Sequence, residues 1–340
     1  SCEWLWDPWP APRKCSPCIR VRKLKSSTKT MVKRVILIFS GFIILGLEAG
    51  NHEENSSGCD DLNPVLGRTT VSIQHEGKNR SYRLYVPKNY KSDIPTPLII
   101  NFHGTGSNAE QQAVYSDMDS VADKKGFMHV NPQGLELDGR PVFNAGLTME
   151  SPANKRDFSK APRDDVDFAK SIVEDVSTKY CLNKKKVYST GMSNGGRMSY
   201  RIGCEAADTF AAIAPVAGVL SLPPEKCQPS KAVPSIAFHG TWDLVSSYKK
   251  AGGFSTMGAI QMFSLWAEKN QCKGKPIVTF QEDNVSCESY QSCAEGAEIK
   301  FCTIDRGGHC WPGRSCRLGA SSTVNGSEMI ADFLLQFERN

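Results

Sequence analysis

The sequence predicts an α/β fold, a mostly parallel central sheet with helices on both faces. Between residues 97 and 304, short apolar runs of strand length alternate with segments whose apolar residues recur at helical spacing. The run Pro97-Leu98-Ile99-Ile100-Asn101-Phe102 is nearly continuous in its apolarity, as a strand buried on both faces must be. A third observation is the turn Gly191-Met192-Ser193-Asn194-Gly195, set between a strand-like run and a helix-like one.

The elements follow in order. Thr70 to Gln74 and Tyr82 to Val86 alternate like antiparallel strands, and 87–97 carries turn residues. The apolar run to Phe102 stops at His103-Gly104-Thr105-Gly106, and a helix is expected from about Ala109 to Lys124. A second buried strand, Phe127 to Val130, is stopped by Asn131-Pro132. From Asp164 to Lys179 the residues Val166, Phe168, Ala169, Ile172, Val173 and Val176 share one helical face. Then come strand Lys186 to Ser189, the Gly-Ser-Gly turn with a helix to about Cys204, and strands Ala211 to Pro215 and Pro234 to Phe238. A helix around Met257 to Lys269, strands Ile277 to Gln281 and Ile299 to Ile304, and a helix Glu328 to Phe337 complete the pattern. No repeat or long linker divides it.

With 40% hydrophobic and 23% charged residues, the 340-residue chain has ample material for a core and does not read as disordered or multi-spanning. Its net charge of +5 is concentrated at one end. Residues 1–30 carry +5, 31–50 carry +1 and 51–340 about −1, so no basic face for nucleic acid is expected. Residues 1–30 show no periodicity and are read as an upstream segment outside the fold. Residues 31–50 read as a signal peptide: Met31, then Lys33 and Arg34, then the apolar stretch Val35 to Leu47, then Glu48-Ala49-Gly50. A stretch of 13 residues falls short of the roughly 20 that span a bilayer. A single domain is expected over 51–340, secreted and without stable membrane insertion.

The cysteines agree. Ten of the thirteen lie beyond residue 50, an even, dense set that fits an oxidising compartment. The Cys-x-x-Cys spacing of zinc sites is absent there, so no metal is expected, although His309, Cys310 and Cys316 are neighbours. Four Asn-x-Ser/Thr triplets, at Asn55, Asn79, Asn284 and Asn325, suit a glycoprotein of the secretory route.

A Gly-x-Ser-x-Gly turn between strand and helix lifts a serine hydroxyl clear of a sheet, its glycines relieving the crowding. Serine is a poor nucleophile at neutral pH and needs an imidazole to take its proton and a carboxylate to orient the imidazole. Asp243 lies just past the strand ending at Phe238, and His309 just past the strand ending at Ile304. The order Ser193, Asp243, His309 is that of a nucleophile, acid and base borne on successive strand ends. His239, at its own strand end, is the rival base and fits a structural hydrogen bond better; Asp305 is the second-ranked acid. A developing oxyanion needs N–H donors, assigned to Thr105, with Gly104 as the alternative, and to Asn194. Trp242, Trp311 and His103 flank these residues and are assigned to substrate contact.

The combination resembles the esterase family that joins polyhydroxybutyrate depolymerases with secreted feruloyl esterases. The matching stretches are 103–106, 163–176, 185–205, 210–218, 239–248 and 307–313. The resemblance implies an α/β-hydrolase fold, a nucleophile, acid and base at Ser193, Asp243 and His309, and hydrolysis of carboxylic esters without metal or organic cofactor. Its substrates would be small esters, polyester oligomers or polysaccharide esters. That no further binding domain follows Asn340 favours soluble esters over a crystalline surface. A disulfide between Cys181 and Cys204, which flank the nucleophile segment, is expected to clamp its helix. The competing class, a non-catalytic hydrolase-like binding protein, usually lacks one triad member.

Overall fold

The computed structural model describes residues 56, 58–59, 63–146, 163–252, 255–316 and 319–339. The segments read as upstream sequence and signal peptide lie outside these residues. The described residues form twelve strands and six α-helices: β1 (Gly67–His75), β2 (Lys78–Val86), β3 (Thr96–Phe102), α1 (Ala109–Ser116), α2 (Met118–Lys125), β4 (Met128–Pro132), β5 (Leu135–Leu137), β6 (Arg140–Val142), α3 (Asp165–Lys179), β7 (Leu182–Met192), α4 (Asn194–Glu205), β8 (Ala212–Val216), β9 (Ser235–Gly240), α5 (Ala259–Lys269), β10 (Ile277–Glu282), β11 (Val285–Tyr290), β12 (Ile299–Ile304) and α6 (Gly326–Leu334).

Ten strands form one sheet in the order β1-β2-β4-β3-β7-β8-β9-β12-β11-β10, with β5 and β6 as a separate hairpin. The six central strands, β4 through β12, are mutually parallel. Antiparallel pairs close both flanks. Because the side-chain period of a strand is two, neighbouring residues feed opposite layers. On β3, Leu98, Ile100 and Phe102 pack with α3 residues Phe168, Ile172 and Val176, whereas Ile99 packs with Met118 and Val121 of α2. Farther along, Ile213, Ala237 and Phe301 face Met262 and Trp266 of α5, and Ala212, Phe238 and Ile304 face Ile330 and Phe333 of α6. Burying side chains of this size contributes about 1.5–3 kcal/mol each.

The structure departs from expectation in three places. The first helix is two, because Asp117 takes the left-handed conformation (φ 51°) between α1 and α2. The hairpin β5–β6 and strand β11 were not foreseen: β5 and β6 have three residues each, and β11 is Val285-Ser286-Cys287-Glu288-Ser289-Tyr290, whose alternation is masked by its Ser and Cys. The expected Cys181–Cys204 disulfide is not formed. Cys181 bonds Cys59 and Cys204 bonds Cys227, beside Cys272–Cys293, Cys287–Cys302 and Cys310–Cys316. Cys181, just before β7, belongs to the layer with α3, while Cys204, at the end of α4, belongs to the layer with α5, so the two face different neighbours. The end of α4 is still clamped, but to the segment after β8.

Candidate active site

The carboxyl ends of β3, β7, β9 and β12 carry the residues in question. Ser193 follows β7 with φ 57° and ψ −112°, a conformation that costs a non-glycine residue on the order of 1–3 kcal/mol. Its surroundings impose it. A Cβ on Gly195 would stand 2.0 Å from the Phe102 carbonyl oxygen, and one on Gly191 2.6 Å from the same atom, so α4 can start this close to β3 only with glycine at both positions. The Ser193 N–H donates to the Val216 carbonyl at 2.9 Å, which fixes the turn to β8. Ser193 is the N-cap of α4 but makes no side-chain cap bond, so its hydroxyl is not committed to the helix it precedes.

Asp243 is buried in the turn after β9. Its Oδ1 accepts the N–H groups of Val245 and Ser246, both at 2.8 Å, and its Oδ2 accepts from His309 Nδ1 at 2.7 Å. That bond places the proton on Nδ1 and leaves Nε2 of the ring as the acceptor. Burial works to raise the Asp243 carboxyl, but the His309 hydrogen bond, the neighbouring imidazoles and the Ser246 N–H outweigh it and hold it below the usual carboxylate range. The acid and base loops are laced together: Thr241 N–H donates to Ile304 O at 3.0 Å, Trp242 N–H to Gly307 O at 2.8 Å, and Arg306 N–H to Thr241 Oγ1 at 2.7 Å. Beyond His309 the chain is held by the Cys310–Cys316 disulfide and by a bond from Trp311 N–H to the Tyr115 hydroxyl at 3.2 Å.

The loop after β3 lies against the serine: a Cβ on Gly104 would be 3.5 Å from Ser193 Cβ. His103, fully buried, shapes this loop. Its Nδ1 donates to Gly104 O at 2.7 Å and its Nε2 accepts the Gly134 N–H at 3.0 Å. Burial lowers its pKa to about 4 against the opposing Gly104 bond and the Asp165 charge, so the ring is neutral at neutral pH, as this pair of bonds requires. On the other side, the Asn194 carboxamide closes on the backbone of Phe143, accepting its N–H at 2.8 Å and donating to its carbonyl at 3.1 Å. The Phe143 ring meets His103 at 4.6 Å and Phe102 edge-on at 5.0 Å between centroids, so it joins the two halves.

Of the residues foreseen, the structure joins Asp243 to His309 and sets Ser193, Thr105 and Asn194 at the same edge of the sheet. His239 is structural as expected, donating from Nε2 to Ser246 O at 2.7 Å, and Asp305 lies exposed beside Arg306. Two substrate-contact assignments are corrected. Trp311 is fully buried and its indole N–H donates to Ser327 Oγ at 2.9 Å, pinning the His309 loop to α6. His103 offers no surface to a substrate, both its nitrogens being bonded within the fold. Trp242 is exposed on the acid loop. Phe143 and Gly134 were missed, since an isolated Phe or Gly in a loop carries no sequence signal of its partners.

A mostly parallel sheet with a strained serine at one strand end and a carboxylate–imidazole pair at later strand ends is the arrangement of an α/β-hydrolase fold. The solved structures agree on the fold: a thermostable esterase superposes with a TM-score of 0.51 at 16% identity, over 80% of this chain and 63% of that one. The acetyl xylan esterase from Aspergillus awamori gives 0.53 at 14% identity, over 71% and 94%. No protein-family model matches the chain. By sequence it is a homologue of proteins named as esterases. "Feruloyl esterase B" of Piromyces equi is 32% identical over 235 residues, 66% of this chain and 41% of that protein. "Putative esterase NocK" of Nocardia uniformis subsp. tsuyamanensis is 26% identical over 301 residues, 80% and 84% of the two chains. "Probable feruloyl esterase C" of Aspergillus flavus is 28% identical over 256 residues, 72% and 81%. The chain thus spans less than half of the Piromyces protein and over four fifths of the other two.

Proposed function

We propose that the protein is a secreted serine carboxylic-ester hydrolase acting on polysaccharide-linked esters of the feruloyl type. The 2.7 Å Asp243–His309 bond, on loops at the same strand-end edge of the sheet as a serine held in a strained elbow, is the observation that carries the reading. Ser193 Oγ attacks the ester carbonyl while His309 Nε2 takes its proton. The carbonyl oxygen becomes an oxyanion facing the N–H groups of Thr105 and Asn194, the latter the first residue of α4, whose N–H has no intrahelical acceptor. Collapse of this intermediate expels the alcohol, which receives the proton from His309, and leaves an acyl-serine. Water, deprotonated by the same imidazole, releases the acid and restores Ser193. Asp243 holds the ring in the tautomer both steps need and stabilises the imidazolium between them.

The feruloyl and acetyl xylan esterases among the relatives and neighbours support a polysaccharide-linked substrate. So do Trp242 and Leu244, 57% and 77% exposed on either side of the buried Asp243, an apolar pair open enough to meet an aromatic acid or a sugar face. Five disulfides support an extracellular protein, and among the described residues no helix is long and apolar enough to cross a membrane. Comparing methyl ferulate with a 3-hydroxybutyrate oligomer tests the acyl group. Turnover of the ferulate is expected, and turnover of the oligomer alone would contradict the assignment.

A further inference from the structure

The stretch 163–168, Arg-Asp-Asp-Val-Asp-Phe, leads into α3 and has no part in the chemistry above. Its acids differ in what they touch. Asp164 caps α3, its Oδ1 accepting the N–H groups of Val166 and Asp167, and the Asp167 side chain is largely exposed. Asp165 instead turns inward and is fully buried, where an ionised carboxylate is costly unless its bonds repay it.

We propose that Asp165 is the positioning residue of the oxyanion site, a junction from which two chains of contacts reach the two donors assigned above. The inference rests on that functional reading. The first chain starts at Asp165 Oδ2, which accepts the Asn144 N–H at 2.6 Å. The preceding residue, Phe143, holds the Asn194 carboxamide with both of its backbone polar groups. The second starts at Oδ1, which accepts from Arg80 at 2.7 Å. The same guanidinium nitrogen reaches Gln133 O at 3.4 Å, and the guanidinium lies 3.7 Å over the Phe168 ring. Gly134, next in the chain, donates to His103 Nε2, and His103 Nδ1 donates to Gly104 O, adjoining Thr105. One carboxylate thereby sets the places of two loops that approach Ser193 from different strands.

Stability alone does not account for the pair. Exchanging a buried ion pair for apolar residues of similar volume is often neutral or stabilising, whereas a donor displaced by about 1 Å can cost about 100-fold in rate. The two roles therefore separate in two variants. Asp165→Asn keeps the shape and removes the charge; Arg80→Met/Asp165→Leu removes the ion pair, leaving Arg163, 3.9 Å from Asp165 in the parent, as the buried charge that remains. Each is assayed well below its Tm for kcat and KM, for inhibition by a trifluoromethyl ketone that mimics the oxyanion, and for inhibition by the product acid.

The expected result is a fall in kcat of about 10- to 100-fold with KM within about twofold. The ketone should weaken in parallel with kcat, and the product acid should bind unchanged. The double variant should keep the low kcat even where its Tm matches the parent, and it carries the test alone if Asp165→Asn does not fold. A folded variant with the parent's kcat overturns the proposal, as does a kcat that returns with Tm in the double variant. Ser193→Ala separates the two readings: if it is inactive while Asp165→Asn is fully active, this inference fails and the functional reading stands; if it stays active, the functional reading itself fails.

Discussion

At the scale of single residues, the reading rests on how Ser193, Asp243 and His309 are held. Ser193→Ala should lower kcat by about 10⁴- to 10⁶-fold with the fold intact, measured on a soluble ester. Asp243→Asn should cost about 10⁴-fold, because an amide at this position favours the wrong imidazole tautomer. The Asp243 carboxyl, held below its usual range, contributes stability that is present above the ordinary carboxylate pKa and is lost as pH falls through its lowered one. Its protonation therefore does not explain any activity lost between about pH 7 and pH 5, and a kcat profile of Asp243→Glu that keeps the parent's acid limb would agree. The placement of these three residues at strand ends was legible in the sequence; their roles are proposed from an order that matches a known chemical logic. Trp311 was misread for the same nearness to the base, since position in the chain does not reveal that its ring turns into the core against α6.

At the scale of elements, the elbow depends on contact between α4 and β3. Gly195→Ala places a Cβ 2.0 Å from the Phe102 carbonyl, which must push the helix off the strand. Loss of activity together with a Tm drop worth about 1–3 kcal/mol is expected, checked by thermal melts beside ester assays. The His309 loop depends on the Cys310–Cys316 bond, whose six-residue separation leaves little chain entropy to remove. Cys310→Ser/Cys316→Ser should thus shift Tm modestly but lower kcat, because the bond fixes the segment beside the base. Central strands and amphipathic helices were readable within a few residues because burial enforces their periods. What escaped notice was short or polar: β5, β6 and β11, and the break at Asp117 that a helical pattern does not announce.

For the whole molecule, the buried histidines His103, His129 and His239 contribute to the response to acid. Burial lowers the pKa of His103 to about 4 and also lowers those of His129 and His239. As pH falls below about 6.5 the unfolded chain takes up protons at these positions that the native fold resists, for His103 down to about pH 4, so stability falls as pH falls. His103 alone accounts for about 3 kcal/mol of this. Unfolding free energy measured in denaturant across that window should decline on acidification, and His103→Asn should flatten the slope by about one proton. The disulfide set was legible as a set but not as pairs, since connectivity follows which layer each cysteine faces, and the layers emerge only once the sheet is assembled.

The central claim is that Ser193, activated by the Asp243–His309 pair, is the group that carries the acyl chain. Reaction with a fluorophosphonate ester followed by peptide mass spectrometry tests it most directly. One adduct per chain, on Ser193, formed at least about 10³-fold more slowly in His309→Ala, is the predicted result. An adduct on another residue, or ester turnover that persists while Ser193 stays unlabelled, would contradict it.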